Sequence, residues 1–363
     1  MIVAEERNNA RTASLGFPLI LSDEFSGPEQ SVAIGRRRVL IVILNFNGIE
    51  DTLVCLDSLR GQTCQDLAVQ VIDNGSRADD LDRIAERFPE VEVIALPENL
   101  GWAGGNNVGI RLALDQGYDY VCLLNNDTVL DPTAIEELLA AAVVLGQPCL
   151  LHPAIAYFNN PAKWQLNPQP RPFAGGATGE ADPKRDIIEM DGAYGACLLL
   201  PASVLESVGL LDERFFLQLE ETDYFRRAQR QGIRSFCARR ARILHKESAS
   251  FGGRITDAKI YYQVRNSFLL AEKHTPTAGG FLRASRVLLW ALHNRAADSG
   301  AGITGWPGFL RWLVSADPIA RAARQGAGDY IRRRFGPRPA APREWRINPA
   351  REGDGPRGFS SPD

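Results

Sequence analysis

Four times between residues 36 and 146, a short, nearly unbroken apolar run gives way to a segment with helical spacing. The first run is Val39 to Leu44, inside RRRVLIVILNFNG. DTLVCLDSLRGQ follows, with Leu53, Leu56 and Leu59 on one helical face and Gly61 as a stop. LAVQVIDNGS (67–76) reads as the second strand. LDRIAERF (81–88) reads as the second helix, with Leu81, Ile84, Ala85 and Phe88 sharing a face. VEVIALP (91–97) is the third strand, and NLGWAGGNNVGIRLALDQG (99–117) a glycine-rich loop feeding a helix. VCLLNNDTVL (121–130) supplies the fourth strand. In DPTAIEELLAAAVVLG (131–146) Asp131 is the expected N-cap, Pro132 the first helical residue and Gly146 the C-cap. Runs that stay apolar, rather than alternating, predict an α/β fold with a mostly parallel sheet covered on both faces.

From 150 to 190 the pattern weakens into a Pro-, Gly- and Asn-rich stretch, expected to be a loop-rich connection. Order returns at 191–209 with a small-residue turn, a strand from Ala196 to Leu200 and a helix opened by Pro201. A carboxylate-rich turn and helix (211–232), one or two strands with a Ser/Gly loop (233–253) and a helix (257–274) complete the expected core. Two amphipathic segments follow, 281–297 and 309–323, where Arg is interleaved with Leu, Trp and Phe. Packing onto the main domain and docking on a membrane surface are both open to them. The expected organisation is a loose extension over 1–35, a main domain over 36–275 divided near 146–147, a helical extension over 276–335 and a disordered tail over 336–363.

Composition narrows the partners. A net charge of −3 over 363 residues gives no reason to expect nucleic acid. Six cysteines without CxxC spacing, several inside apolar runs, read as reduced core residues of a cytoplasmic protein. MIVAEERNN is not the start of a signal peptide, and no run reaches the roughly 18 uninterrupted apolar residues of a membrane span.

In an open parallel sheet, ligands bind beyond the carboxyl ends of the strands. Those ends here carry Asn45 and Asn47, Asp73 and Asn74, Asn99, and Asn125-Asn126-Asp127. Asp127 is either a cap or a ligand for a hard cation; with Asp131 taking the cap, the ligand reading is preferred. Asp73 in DNGS serves either a nucleotide or an ordinary turn. The glycines Gly101, Gly104, Gly105 and Gly109 fit neither GxGxxG nor a P-loop, which argues against a nicotinamide cofactor and NTP hydrolysis. Glu220, Glu221 and Asp223 crowd three carboxylates at a helix start, a setting for a general base. His245 is a structural group or a metal or diphosphate contact.

In this order, VLIVILNFNG, CLDSLRGQ, VIDNGS, ENLGWAGGNNVGI, LLNNDT, GAYGACLLLPASVLESVGLLDERFF, EETD, LHKESASFGG and YYQVRNSF resemble the family 2 glycosyltransferases of the GT-A nucleotide-diphospho-sugar transferase fold, especially their rhamnosyltransferase-like branch. The resemblance runs from about 38 to 270. It implies an inverting, metal-dependent hexosyltransferase of cell-wall or polysaccharide biosynthesis. The expected donor is a dTDP- or UDP-linked sugar, with L-rhamnose or another deoxysugar the best guess. The expected acceptor is a hydroxyl of a glycan, a lipid-linked saccharide or a small molecule. Asp127 then stands for the carboxylate of the DXD motif, binding Mg²⁺ or Mn²⁺ with His245. Glu221, or its neighbour Glu220, is the base. Asn45, Asn47, Asp73, Gly101, Gly104, Asn107, Asn125 and Asn126 line the nucleotide-sugar. Where the family has Glu-Asp, this chain has Glu-Glu. That leaves open which glutamate acts, and keeps a non-catalytic nucleotide-sugar-binding partner as the alternative. A nucleotidyltransferase is disfavoured because LNFNGIEDT lacks a basic triphosphate loop. The implied location is the cytoplasm or the inner face of its membrane.

Overall fold

The computed structural model describes residues 37–64, 66–76, 79–168, 186–246, 256–275, 277–298 and 305–339. The expected extension over 1–35 and the chain beyond 339 lie outside them, as does the Ser/Gly loop after His245. The first half alternates as its pattern predicts: β1 (Val39–Asn45), α1 (Ile49–Arg60), β2 (Leu67–Asp73), α2 (Asp79–Arg87), β3 (Glu92–Ala95), α3 (Gly101–Asp115), β4 (Tyr120–Asn125), β5 (Thr128–Leu130) and α4 (Ala134–Leu145). The second half holds β6 (Cys149–Tyr157), β7 (Asn160–Leu166), β8 (Ile187–Met190), β9 (Cys197–Pro201), α5 (Ala202–Val208), α6 (Glu220–Arg230) and β10 (Arg234–His245). Four helices follow among the described residues: α7 (Asp257–His274), α8 (Ala278–Asp298), α9 (Gly305–Leu313) and α10 (Pro318–Ile331).

The strands form one sheet in the order β3-β2-β1-β4-β9-β6-β10-β5, with β7 beside β6 and β8 beside β10. The four strands from β3 to β4 are parallel, as continuous apolar runs require. Beyond β4 the sheet is mixed: β9 runs antiparallel to β4 and β6, while β6 and β10 are parallel. β1 and β4 are almost wholly buried, with apolar clusters on both faces of the sheet.

β6 is the central strand that the pattern missed. Pro153 sits in its middle and cannot donate a ladder hydrogen bond. The partner strand absorbs the defect: the β10–β6 register jumps from Ala238↔Pro153 to Arg242↔Ala154, a bulge opposite the proline. The expected single segment 309–323 is also broken, at Asp317. That side chain caps α10 by accepting from the N–H groups of Ile319 and Ala320, and Pro318 opens the helix. α10 packs along α7 through Ala320, Ala323 and Gly326, where a Cβ on the glycine would lie 2.5 Å from Tyr261 O. The first residues of the expected tail contact α7: Gly336 O accepts from Arg265 at 2.6 Å, and Arg338 N–H donates to Tyr262 Oη at 2.8 Å. None of the six cysteines forms a disulfide, and five are buried.

Candidate functional site

Parallel register sets the polar strand ends level, with Asn45 opposite Asp73 and Leu44 opposite Asn125. Asn45 Nδ2 donates to Asp73 Oδ1 (2.9 Å) and Ser76 Oγ (3.1 Å), and its Oδ1 accepts from Thr52 (2.8 Å). Fully buried and with its amide engaged, Asn45, an expected nucleotide contact, braces the rim from within. Asp73 Oδ2 accepts from Ser76 N–H at 3.0 Å, the turn chemistry DNGS allowed. Each of its oxygens has a second lone pair beyond these bonds. Asn47 is exposed, at φ +53, with its N–H on Ser76 Oγ at 2.8 Å. Asn126 Nδ2 donates to Thr52 Oγ1 at 3.0 Å, tying the end of β4 to the start of α1.

Asp127 and His245 meet because β5 and β10 pair antiparallel, with His245 opposite Thr128 and Lys246 N–H donating to Asp127 O at 3.1 Å. Asp127 Oδ1 lies 3.3 Å from His245 Nε2. Asp131, the expected cap, does not cap α4. The residue before α4 is Thr133, no side chain caps the helix, and the Asp131 carboxylate faces Arg242 at 3.9 Å. Asp127 is set apart by its partner instead. Gln165, on β7, grips His245 with both ends of its amide: Nε2 donates to His245 O at 3.0 Å, so Oε1 faces the ring and accepts from Nδ1 at 2.8 Å. The other ring nitrogen then turns a lone pair toward the Asp127 carboxylate. Two electron-rich atoms at this distance repel unless a cation lies between them, a proton or a metal ion. Among the described residues no third His, Cys, Asp or Glu joins them. One carboxylate and one imidazole fit an ion that takes its remaining ligands from water and substrate phosphate.

The carboxylate trio separates into a pair and a structural anchor. Asp223 is fully buried and held by Lys273 (2.7 Å), His274 (2.8 Å) and Arg227 (2.9 Å). Burial pushes its carboxyl up, but the hydrogen bonds from Lys273 and His274 bring it below the usual range. It locks α6 to α7. Glu220 is buried, with Oε2 lacking a hydrogen-bond partner among the described residues, and Glu221 is half-buried. Burial raises both acids, and the charge of Glu221 raises Glu220 further. The turn into α6 is strained: Phe216, Gln218 and Leu219 have φ of 63°, 72° and 70°. Buried Asn266 of α7 holds that turn, its Nδ2 lying 2.8 Å from each of Phe215 O, Leu217 O and Gln218 O. Arg265 beside it donates to Phe215 O at 2.8 Å.

The glycine-rich segment is not a loop before a helix, since α3 begins at Gly101. Gly105 lets the helix lie on β1, where a Cβ would come 2.3 Å from Leu44 Cδ1. Gly104 is buried within the same helix, and Asn107, fully buried, exchanges hydrogen bonds of 3.0 Å with Leu211 and donates to Glu213 at 2.9 Å. Both expected contacts of the nucleotide-sugar are thus packed inside the fold, Asn107 with its amide engaged at both ends. Gly101 is likewise structural: it has φ +75, and a Cβ there would lie 2.3 Å from Phe216 O. Gly101→Ala should lower stability by about 2–4 kcal/mol through left-handed strain plus that clash, read from the shift in urea midpoint. Sequence reading missed Trp102, whose N–H donates to Phe216 O at 2.7 Å while its Nε1 donates to Asn125 Oδ1 at 3.0 Å. Trp102 thus links the acid-bearing turn to the Asn125–Asp127 strand end. Gln165 was also missed, lying in the stretch expected to be loop-rich.

Residues 40–208 match the model for glycosyl transferase family 2. The match places a family 2 glycosyl transferase domain within residues 40–208. The curated proteins it is similar to include the low-salt glycan biosynthesis hexosyltransferase Agl10 of Haloferax volcanii, 25% identical over 63% of this chain and 74% of the relative. Another is the N-acetylglucosaminyl-diphospho-decaprenol L-rhamnosyltransferase of Mycobacterium tuberculosis, 26% identical over 67% of this chain and 85% of the relative. In fold the domain is similar to the mannosyltransferase PcManGT of Pyrobaculum calidifontis, solved with GDP-Man and Mn²⁺ (TM-score 0.50, 15% identity, 82% of this chain and 87% of that one). The α/β architecture is the GT-A fold, a central sheet flanked by helices.

Proposed function

We propose that this glycosyltransferase moves L-rhamnose or another deoxyhexose from a dTDP- or UDP-linked donor to a hydroxyl of a glycan or lipid-linked saccharide, inverting the anomeric centre. The main support is the Asp127–His245 pair, whose facing electron-rich atoms call for a cation. A divalent ion, Mg²⁺ or Mn²⁺, would supply positive charge against the nucleoside diphosphate as it departs. Asp127 offers a charged oxygen, His245 its Nε2, and Gln165 fixes the ring. Asp73 uses a remaining lone pair for a pyrimidine imide N–H or a ribose hydroxyl. Asn47, Asn125 and Asn126 line the same rim. Glu221 takes the proton of the acceptor hydroxyl. The freed oxygen attacks the anomeric carbon from the face opposite the nucleotide, so no glycosyl-enzyme bond forms. The rhamnosyl and lipid-linked elements rest on similarity to the mycobacterial rhamnosyltransferase.

A thermal-shift screen of nucleotide sugars with and without Mn²⁺ tests this reading. A donor at a hundred times its Kd should add about 2.7 kcal/mol of apparent stability. Asp127→Asn should erase the Mn²⁺-dependent part of the shift and spare the rest. A donor shift indifferent to both Mn²⁺ and Asp127→Asn would remove the metal from the account.

A further inference from the structure

We propose that α8 and α9 form a docking face for an anionic phospholipid bilayer, an assignment that rests on neither the donor nor the base argued above. α9 reads GWPGFLRWL and is apolar on two faces, of which the fold covers one. Phe309 and Trp312 point inward, against the cluster that includes Tyr261, Tyr262 and Ala320. Trp306, Leu310 and Val314, spaced four apart on the other face, are 49%, 57% and 74% exposed. α8 repeats the arrangement, burying Leu288 and Leu292 while exposing Leu282, Val287 and Leu289. Five of the ten exposed large hydrophobics among the described residues therefore lie on this helix pair, and a sixth, Val314, directly follows α9. The two faces converge on a groove of about 650 Å³ lined by Leu282, Val287, Leu289 and Trp306 with Arg283 and Arg286.

Charge selects the occupant. Between Lys273 and Ala316 the sequence has one acid, Asp298, against Arg283, Arg286, Arg295 and Arg311. Arg283, Arg286 and Arg311 are exposed beside the apolar residues. A second copy of this face would set arginine against arginine with little acid to pair them, which is repulsive. A lipid surface accepts both features: leucine, valine and tryptophan enter the interface while arginine heads stay at the phosphates. No described helix is long and apolar enough to cross a membrane, so the contact is along the surface.

Flotation of the full chain with phosphatidylcholine vesicles, with and without phosphatidylglycerol, tests the proposal. The chain should float with the anionic vesicles, and added salt should release it. Arg283→Gln with Arg286→Gln should weaken partitioning about thirtyfold, at roughly fivefold per cation. Trp306→Ser with Leu310→Ser should abolish it while the far-ultraviolet circular dichroism stays that of wild type, since both side chains are exposed. Three outcomes would overturn the assignment. Wild type could stay in solution beside anionic vesicles. The variants could float equally well. Light scattering could show a dimer that the Trp306→Ser, Leu310→Ser change splits, making the face a self-interface.

Discussion

Glu221→Gln should lower the transfer rate by about 10²–10⁴-fold while leaving the donor-induced thermal shift intact. The substitution keeps the shape of the side chain and removes only its ability to hold a proton taken from the acceptor. Two observations choose Glu221 over Glu220. Glu221 is half-buried, so an acceptor can reach it, whereas Glu220 is 4% exposed. Burial raises both carboxyls and their repulsion is mutual; Glu220, more deeply buried and with Oε2 lacking a hydrogen-bond partner among the described residues, is the one that desolvation drives toward the neutral form. Glu220→Gln then replaces a neutral acid with a neutral amide and should retain most activity. The sign of the pH dependence follows. A base must be deprotonated to act, and its raised pKa moves the acid limb of kcat/KM above the ordinary carboxylate range. Activity should fall as pH drops through that limb, and the limb should be missing from the residual rate of Glu221→Gln. A deficit confined to Glu220→Gln would exchange the two roles. A wild-type chain that binds donor and never transfers to any acceptor would favour a non-catalytic partner.

How far the sequence speaks for itself depends on whether a residue's task is local. β1, α1, β2 and β4 are legible because burial on both faces of a parallel strand leaves an unbroken apolar run, and Gly61 and Gly146 mark helix ends. β6 was hidden by Pro153, since the compensating bulge lies more than eighty residues away in β10. The glycines of α3 are visible as a cluster, but their purpose is set by Leu44 and Val42 across the sheet. A glycine that admits a phosphate and one that admits a strand look the same in a sequence. The polar rim was legible as a set of strand ends. Which of its members point at one another was not: Asn45 and Asn107 are spent inside the protein, and Gln165 carries no motif that would have drawn the eye.

Arg265→Met should cost about 2–4 kcal/mol of stability, because several buried carbonyls lose their donor at about 1–3 kcal/mol each while the cost of burying a charge is relieved. Arg265 is fully buried on α7. It donates to Phe215 O and Arg214 O (2.8 and 3.1 Å), to Gly336 O (2.6 Å) and to Asn266 Oδ1 (3.0 Å). Its guanidinium also lies 5.0 Å from the ring centre of Tyr262 and 5.4 Å from that of Tyr261. Methionine keeps much of the stem but leaves buried carbonyls without donors. Lysine would not restore the network, because one ammonium cannot match a fork that serves four oxygens. The urea midpoint reads this loss. Function should suffer by a separable route. The turn that Arg265 and Asn266 grip holds three residues at positive φ immediately before Glu220 and Glu221, and a strained turn persists only where its surroundings over-determine it. Asn266→Ala, the milder change, should therefore lower kcat while the donor's thermal shift on the β1–β4 rim is unchanged. A chain with Asn266→Ala that is less stable yet transfers at the wild-type kcat would reduce the clamp to scaffolding. A kcat that falls with donor binding intact assigns it to aiming the base.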